Sequence, residues 1–226
     1  MRYLNGTAVE EGLAAKCDSV GKVQWTHRIT ADHLTEIDGV VETSDGGFVV
    51  CGSTLRDPTS TQYQAYVLKM DSAGNHLWNF YFNQAVQEIH LVSLSEAANG
   101  DIIFCGNDRS LGFANFRPFV ARISSSGALI WANGYNFPGA GNFLIRGKCL
   151  EATDSGNIYF TGQTSTPELI FAGLSSAGTL LVAQTITGTG VVVGRDIAAH
   201  PNGNLLLLGL TNAPSQGGFD LLFVEL

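Results

Sequence analysis

The chain has 226 residues, of which 45% are hydrophobic and 14% are charged, and its formal net charge is -8. An acidic surface repels a phosphate backbone, which argues against nucleic acid as a partner. No apolar run reaches about 18 residues, so membrane insertion by a helix is not expected. The 27 glycines fall mostly in short turn-like clusters, a distribution typical of many strands joined by tight turns.

The N-terminal segment from Met1 to Gly6 lacks the apolar core of a secretory signal peptide. We therefore expect synthesis in the cytoplasm followed by incorporation into a virion or similar particle, with secretion or display at a cell surface as the alternative. The first two strands are predicted from Leu13 to Cys17 and from Val23 to Ile29, on either side of a DSVG turn.

Two sequence anchors recur along the rest of the chain. The first is a turn followed by a strand, in the forms DSVGKVQW, DSAGNHLW, SSSGALIW and SSAGTLLV, and its glycines are 53, 53 and 51 residues apart. The second is a strand that ends in glycine, in the forms SDGGFVVCG, AANGDIIFCG, TDSGNIYFTG and HPNGNLLLLG, with spacings of 54, 56 and 47 residues. Two interleaved anchors that share a period indicate a repeat architecture.

Each repeat is predicted to contain four strands. In the first complete repeat they run from Ile37 to Thr43, Phe48 to Cys51, Ala65 to Met70 and His76 to Phe82. The second and third strands are almost continuously apolar, which indicates burial on both faces. Glycine pairs such as Gly46-Gly47 predict a tight hairpin between the first two strands.

Three complete repeats are predicted at 35–87, 88–137 and 146–188, with partial repeats at 12–34 and 194–226. The fold class is therefore all-β: one domain, 1–226, forming a β-propeller of four-stranded antiparallel blades. Four blades are favoured and five are the alternative, with closure by terminal strands. The predicted strands number 17, one more than four blades need. The extra strand points to a protein partner or a homo-oligomer.

The repeats resemble the bacterial and phage-type β-propeller repeats known as SBBP-like and delta-60-like, with the pattern DGGxxxxG…LDSxGNxxW. The resemblance extends from Gly12 to Leu226 and implies a propeller, whereas it implies little about chemistry, since such proteins are mostly uncharacterised. The chain departs from the pattern where Val182 replaces tryptophan and where Ser124 and Ser175 replace aspartate. We infer that these positions are structural.

Catalytic motifs are absent from the sequence. The five histidines form no HxH or HExxH group, no GxSxG elbow occurs, and the four cysteines form no CxxC pair. We therefore predict no enzyme activity, no metal and no cofactor, and we interpret Cys51 and Cys105 as small buried hydrophobes. First strands line the channel of a propeller, so the predicted channel-lining residues are Asp38, Glu42, His90, Glu96, Arg195 and His200.

Binding is expected on the long connections between second and third strands. Exposed aromatic rings beside amide and charged groups suit a sugar ring or a protein interface. The candidate residues are Arg56, Asp57, Tyr63, Asn107, Asp108, Arg109, Phe113 and Phe116. Because the connections differ from repeat to repeat, the sequence favours one asymmetric surface. The predicted function is a non-catalytic docking component of a larger assembly; a carbohydrate-binding propeller is the alternative, and a lyase or hydrolase at the channel mouth is a minor one.

Overall fold

The computed structural model describes residues 2–4, 7–9, 11–29, 35–55, 59, 62–82, 87–110, 116–137, 143–145, 150–152, 156–164, 168–186, 191–200, 203–212 and 220–225. These residues form twenty strands in several small antiparallel sheets, which confirms the all-β prediction. Within them no helix is long and apolar enough to cross a membrane.

The chain begins with two small sheets. The first pairs β1 (Arg2–Leu4) with β2 (Thr7–Val9), and the second, here called the half-sheet, pairs β3 (Gly12–Cys17) with β4 (Val23–Ile29). The β1–β2 pair was not predicted from the sequence, since its strands are only three residues long. The half-sheet holds the predicted third and fourth strands of the partial first repeat.

Two complete four-stranded sheets follow, each paired in chain order. Sheet I contains β5 (Thr35–Glu42), β6 (Phe48–Leu55), β7 (Tyr63–Met70) and β8 (His76–Phe82). Sheet II contains β9 (Gln87–Glu96), β10 (Ile102–Ser110), β11 (Arg117–Ile123) and β12 (Leu129–Gly134).

The last two sheets depart from this pattern. In sheet III two short strands share the place of the first strand; its members are β13 (Phe143–Leu144), β14 (Leu150–Ala152), β15 (Ile158–Thr164), β16 (Leu169–Leu174) and β17 (Leu180–Ile186). Sheet IV has three strands, β18 (Val191–Ala199), β19 (Leu205–Asn212) and β20 (Asp220–Glu225). Among the described strands, sheet IV and the half-sheet are not hydrogen-bonded to each other.

The sheets pack face to face, and successive residues of a central strand contact different neighbours. In β10, Phe104 packs with Val67 in the core shared by sheets I and II, whereas Ile103 packs with Phe160 in the core shared by sheets II and III. This arrangement follows from the alternation of side chains along a strand. It confirms that the continuous apolar runs are buried on both faces.

The predicted tight turns between first and second strands are present. Gly46, Gly100 and Gly203 have φ values of 78°, 82° and 92°, in a region that favours glycine because it lacks a Cβ. The DSxG turns use a side chain as well: Asp71 Oδ1 accepts hydrogen bonds from the amides of Ala73 (2.9 Å) and Asn75 (2.8 Å). The turns therefore fix the register of the hairpins that they join.

On β4, β8 and β12, the tryptophan of the fourth strand joins its sheet to the DSxG-type turn of the next sheet. Its indole N–H donates to a turn carbonyl, from Trp25 to Ser72 (3.3 Å), from Trp78 to Ser125 (3.1 Å) and from Trp131 to Ser176 (2.9 Å). The ring also covers the turn glycine: a Cβ on Gly127 would lie 3.0 Å from the Trp78 ring. The repeated tryptophan is thus a contact between sheets.

The first strands of sheets I, II and IV each contain a β-bulge. Asp38, Val92 and Arg195 are the extra residues, each without an opposite residue on the second strand. A bulge bends its strand and redirects the side chain of the extra residue. Asp38 and Arg195, both predicted to line the channel, owe their orientation to this irregularity.

The glycine of the second anchor lies opposite this bulge and does not end its strand. β6 continues past Gly52 to Leu55, and β10 continues past Gly106 to Ser110. A Cβ on Gly52 would collide with the carbonyl oxygen of Glu36, and the equivalent atom on Gly106 would collide with that of His90. The predicted strand ends at these glycines are therefore wrong, and part of each long connection is strand.

Candidate functional site

Several predicted site residues meet at the end of the sheets where first strands begin and second strands end. Tyr63 begins β7, His90 lies near the start of β9, Arg109 lies near the end of β10, and Phe116 directly precedes β11. Together with Glu88 on β9, these residues form what we call the His90 site. Residues predicted for the channel and for the loop surface are therefore neighbours here.

The centre of the His90 site is an imidazole held between a carboxylate and aromatic rings. His90 Nε2 lies 3.1 Å from Glu88 Oε1, and the centroid of its ring is 4.6 Å from that of Tyr63 and 6.3 Å from that of Phe116. The His90 side chain is 29% exposed and that of Glu88 is 12% exposed. The imidazole is thus fixed in orientation yet remains accessible to a ligand.

Arg109 closes the other side of the site. Its guanidinium forms an ion pair with Glu88 and lies 5.2 Å above the ring of Phe116. The Arg109 side chain is 46% exposed, so part of it is accessible from solvent. A guanidinium over an aromatic face is a favourable cation–π arrangement, and it holds both groups in position.

Two further candidates, Asn107 and Asp108, lie on β10 next to the site and bind other parts of the protein. Asn107 donates from Nδ2 to the carbonyl of Ile145 (3.0 Å) and accepts from its amide (2.8 Å), which anchors the segment before β14 to β10. Asp108 is fully buried and pairs with Arg117 at 2.8 Å. Both side chains are occupied inside the protein, so they position the strand ends and offer little to a ligand.

Two carboxyl groups on β5 adjoin the His90 site. Glu36 and Asp38 are both exposed. Partial desolvation nevertheless raises the pKa of Asp38, the charge of Glu36 raises it further, and His90 lowers it. β5 packs against β9, the strand that carries His90, and this places the two carboxyl groups within its electrostatic influence. A carboxyl group with a raised pKa beside a second carboxylate can donate a proton while its neighbour accepts one.

The other predicted channel residues do not join this site. Glu96 lies at the far end of β9, where it accepts hydrogen bonds from the amide (2.7 Å) and hydroxyl (3.0 Å) of Ser44 and so links sheets I and II. Glu42 lies at the far end of β5, and Arg195 and His200 belong to the exposed side of sheet IV. The candidates Arg56, Asp57 and Phe113 lie outside the described residues.

Glu88 was missed by the sequence analysis although it contacts both His90 and Arg109. It belongs to no sequence motif. The signal that could have identified it is its position two residues before His90, because residues two apart on a strand share a face. Among the described residues, no three His, Cys, Asp or Glu side chains form a group that could hold a metal ion. Cys51 and Cys105 are buried, as predicted, and neither forms a disulfide within the described residues.

No family model and no curated protein matches the sequence. Solved structures do match: a protein of unknown function from Dyadobacter fermentans (12% identity, TM-score 0.58, 90% of this chain and 63% of that one) and an α-L-arabinofuranosidase from Fusarium graminearum (12%, 0.56, 84% and 61%). A protein of unknown function from Bacteroides caccae is 13% identical with a TM-score of 0.54, over 94% of this chain and 73% of that one.

The chain therefore spans about three fifths to three quarters of the length of these structures. At such identities the similarity establishes the all-β fold. The prediction of a non-catalytic docking component is wrong, because proteins of this fold include glycoside hydrolases. These enzymes also conflict with the prediction that the chain is not an enzyme, although the fold alone assigns no activity. The comparisons give no support to a virion component.

Proposed function

We propose that the chain is a β-propeller of four-stranded blades, formed by repeats of the class that its anchors resemble, and that the His90 site acts on carbohydrate. The four-bladed ring belongs to this proposal. The observation that carries the function is the juxtaposition of partly exposed aromatic rings, a fixed imidazole, a guanidinium and carboxyl groups at one end of the sheets.

Each part of the site suits a different part of a sugar. The rings of Tyr63 and Phe116 offer apolar surface to the C–H face of a pyranose or furanose. Arg109 donates hydrogen bonds to hydroxyl groups, and the Glu88 carboxylate accepts them. A few polar groups placed among aromatic side chains are typical of small-molecule sites.

The carboxyl pair on β5 favours cleavage of a glycosidic bond in addition to binding. In this proposal the carboxylic acid of Asp38 protonates the glycosidic oxygen as the bond from that oxygen to the anomeric carbon breaks. Water adds to the anomeric carbon and gives its proton to the carboxylate of Glu36. The α-L-arabinofuranosidase of the same fold makes arabinose-containing chains the first substrates to test.

Binding is tested by calorimetric titration with arabino-oligosaccharides. We expect Tyr63→Ala and Phe116→Ala to weaken binding about tenfold or more, since each removes ring contact worth about 1 kcal/mol or more. The control is Ile130→Ala, which removes an apolar side chain that is 49% exposed on β12. Wild-type protein that binds no oligosaccharide, or site variants that bind as well as the control, would overturn the proposal.

Cleavage is tested with 4-nitrophenyl α-L-arabinofuranoside across pH. Asp38→Asn should lower kcat by about 100-fold or more, as expected for loss of a general acid. The acidic form is the active one, so the wild-type rate should fall as pH rises through the pKa of Asp38, which lies above its usual value. Intact binding with no turnover by the wild type would remove the catalytic part of the proposal and leave carbohydrate recognition.

A further inference from the structure

The strand β3 occupies the third-strand position of its repeat, where the other repeats bury their side chains, but one of its edges has no neighbouring strand. Leu13 is 67% exposed, whereas the residues at the same distance before the turn glycine in the other third strands, Tyr66, Phe119 and Ile170, are 4%, 1% and 2% exposed. Each of the four residues lies opposite the equivalent residue of its fourth strand. The difference in exposure therefore comes from what surrounds β3.

What β3 lacks is a second strand. β7, β11 and β16 each pair with a second strand on one edge and a fourth strand on the other, whereas β3 pairs only with β4 among the described strands. A groove of about 510 Å³ runs between β3 and sheet I, and its apolar lining includes Leu13, Ala15, Ile37 and Val50.

The repeat itself identifies the strand that fits this edge. Within the described part of the chain, sheet IV has a first, a second and a third strand but no fourth, and the half-sheet has a third and a fourth. All third strands run in the same direction along the repeat. A strand β3 placed outside β20 would therefore be parallel to it, whereas all the pairings among the described strands are antiparallel. β3 and β20 are therefore alternatives for the same edge of β19.

A cation position distinguishes these two strands. Lys69 in sheet I and Arg122 in sheet II reach the hairpin turn between first and second strands, where they pair with Asp45 and Asp101 at 2.8 Å. The corresponding residue of β3 is Lys16. Lys69 lies opposite Val49, and the residue of β19 equivalent to Val49 is Leu206. The residue of β20 opposite Leu206 is Glu225. In its charge, β3 matches β7 and β11, whereas β16 carries Gly173 at this position. The turn sequence of sheet IV, HPNGN, has no carboxylate, so Lys16 would lie there without a counterpart of Asp45 or Asp101.

The turn of the half-sheet is also uncovered. A Cβ on Gly21 would meet no atom within 4 Å, whereas the equivalent glycines Gly74 and Gly127 lie against Trp25 and Trp78. Beside it, Val20 is 85% exposed. The fourth strand of sheet III, which would face this turn in a closed ring, has valine in place of tryptophan at position 182.

We propose that β19 (Leu205–Asn212) of the same chain covers the open edge of β3, which completes a sheet in the order β18-β19-β3-β4 and releases β20. The repeat gives the register: Lys16 lies opposite Leu206 and Ala15 opposite Leu207, as Lys69 and Leu68 lie opposite Val49 and Val50. This closure concerns the ends of the ring and does not rest on the proposed carbohydrate function, although Asp38 also lines the groove beside β3.

Engineered disulfides test which strand occupies the edge. In a Cys17→Ser background, the pair Ala15→Cys with Leu207→Cys reports β3 beside β19, and the pair Leu207→Cys with Val224→Cys reports β20 in that place. After mild oxidation we expect the first pair to cross-link within a monomer in more than half of the molecules. A second set, Ala14→Cys or Phe223→Cys with Leu208→Cys, repeats the comparison one residue along if the first set folds poorly.

Three outcomes decide the proposal. Cross-linking to β3 at monomer mass supports it, and deletion of residues 220–226 should then raise the yield. Cross-linking to β20 alone would overturn it. Cross-linking to β3 at dimer mass would also overturn it, because the edge would then be covered by a second copy of the chain.

Discussion

A buried lysine shows how a single charged residue is accommodated in this apolar architecture. The Lys69 side chain is 6% exposed, contacts the Thr43 hydroxyl and pairs with Asp45 at 2.8 Å. Its hydrogen bond, together with those from Thr43 and the Gly47 amide, lowers the pKa of Asp45 to about 2. A charge at this depth is tolerable because its partner lies in the turn, at the boundary with solvent.

We predict that Asp45→Asn lowers the free energy of unfolding at pH 7 by about 1 kcal/mol, a modest value because the carboxylate is 61% exposed. A lowered pKa stabilises the folded state above the unfolded value, and this contribution is lost as pH falls from about 4 towards 2. Urea titrations at pH 7 and pH 2.5 should show the difference shrinking. Asp18→Asn, whose side chain accepts from the amides of Val20 and Lys22, is the control; an equal loss at both pH values would contradict the mechanism.

At the scale of one element, the tryptophan strands illustrate what sequence can and cannot predict. The periodic tryptophan marked the fourth strand correctly, since β8 runs from His76 to Phe82 as expected. Its partner could not be predicted, because the carbonyl of Ser125 lies 47 residues further along the chain. The glycine of the second anchor was wrongly predicted to end its strand for a related reason. It lies opposite the β-bulge of the first strand, and a bulge cannot be recognised from the sequence of an apolar run.

Replacing Trp78 separates the two parts of this contact. Trp78→Phe removes the hydrogen bond to Ser125 and keeps most of the ring surface, so we expect the free energy of unfolding to fall by about 1 kcal/mol. Trp78→Ala also removes the ring that packs against Gly127, and we expect it to lower the free energy of unfolding by about 3 kcal/mol. The measurement is chemical denaturation, with Leu77→Ala, 52% exposed on the same strand, as the control. Equal losses for the two tryptophan variants would show that ring packing contributes nothing between sheets.

For the molecule as a whole, the sequence predicted the order of strands well and their ends poorly. The two anchors identified sheets I and II because their turn glycines and apolar runs are local features. The split first strand of sheet III was not predicted, since β13 and β14 pair with β15 through only two and three residues. The candidate site was predicted in part: His90, Arg109 and Phe116 meet, whereas Glu96 lies at the opposite end of its strand.

Stacked sheets that share cores only with their neighbours should respond locally to a core defect. Phe104 and Ile103 are adjacent and fully buried, but they face different cores. We predict that Phe104→Ala and Ile103→Ala each cost about 3 to 4 kcal/mol, and that hydrogen exchange accelerates in β6 and β7 for the first variant and in β15 and β16 for the second. The two variants form a matched pair, since one strand carries both. Identical exchange patterns would contradict this prediction. They would mean that the sheets unfold as a single cooperative unit and that the two cores on either side of β10 do not respond separately.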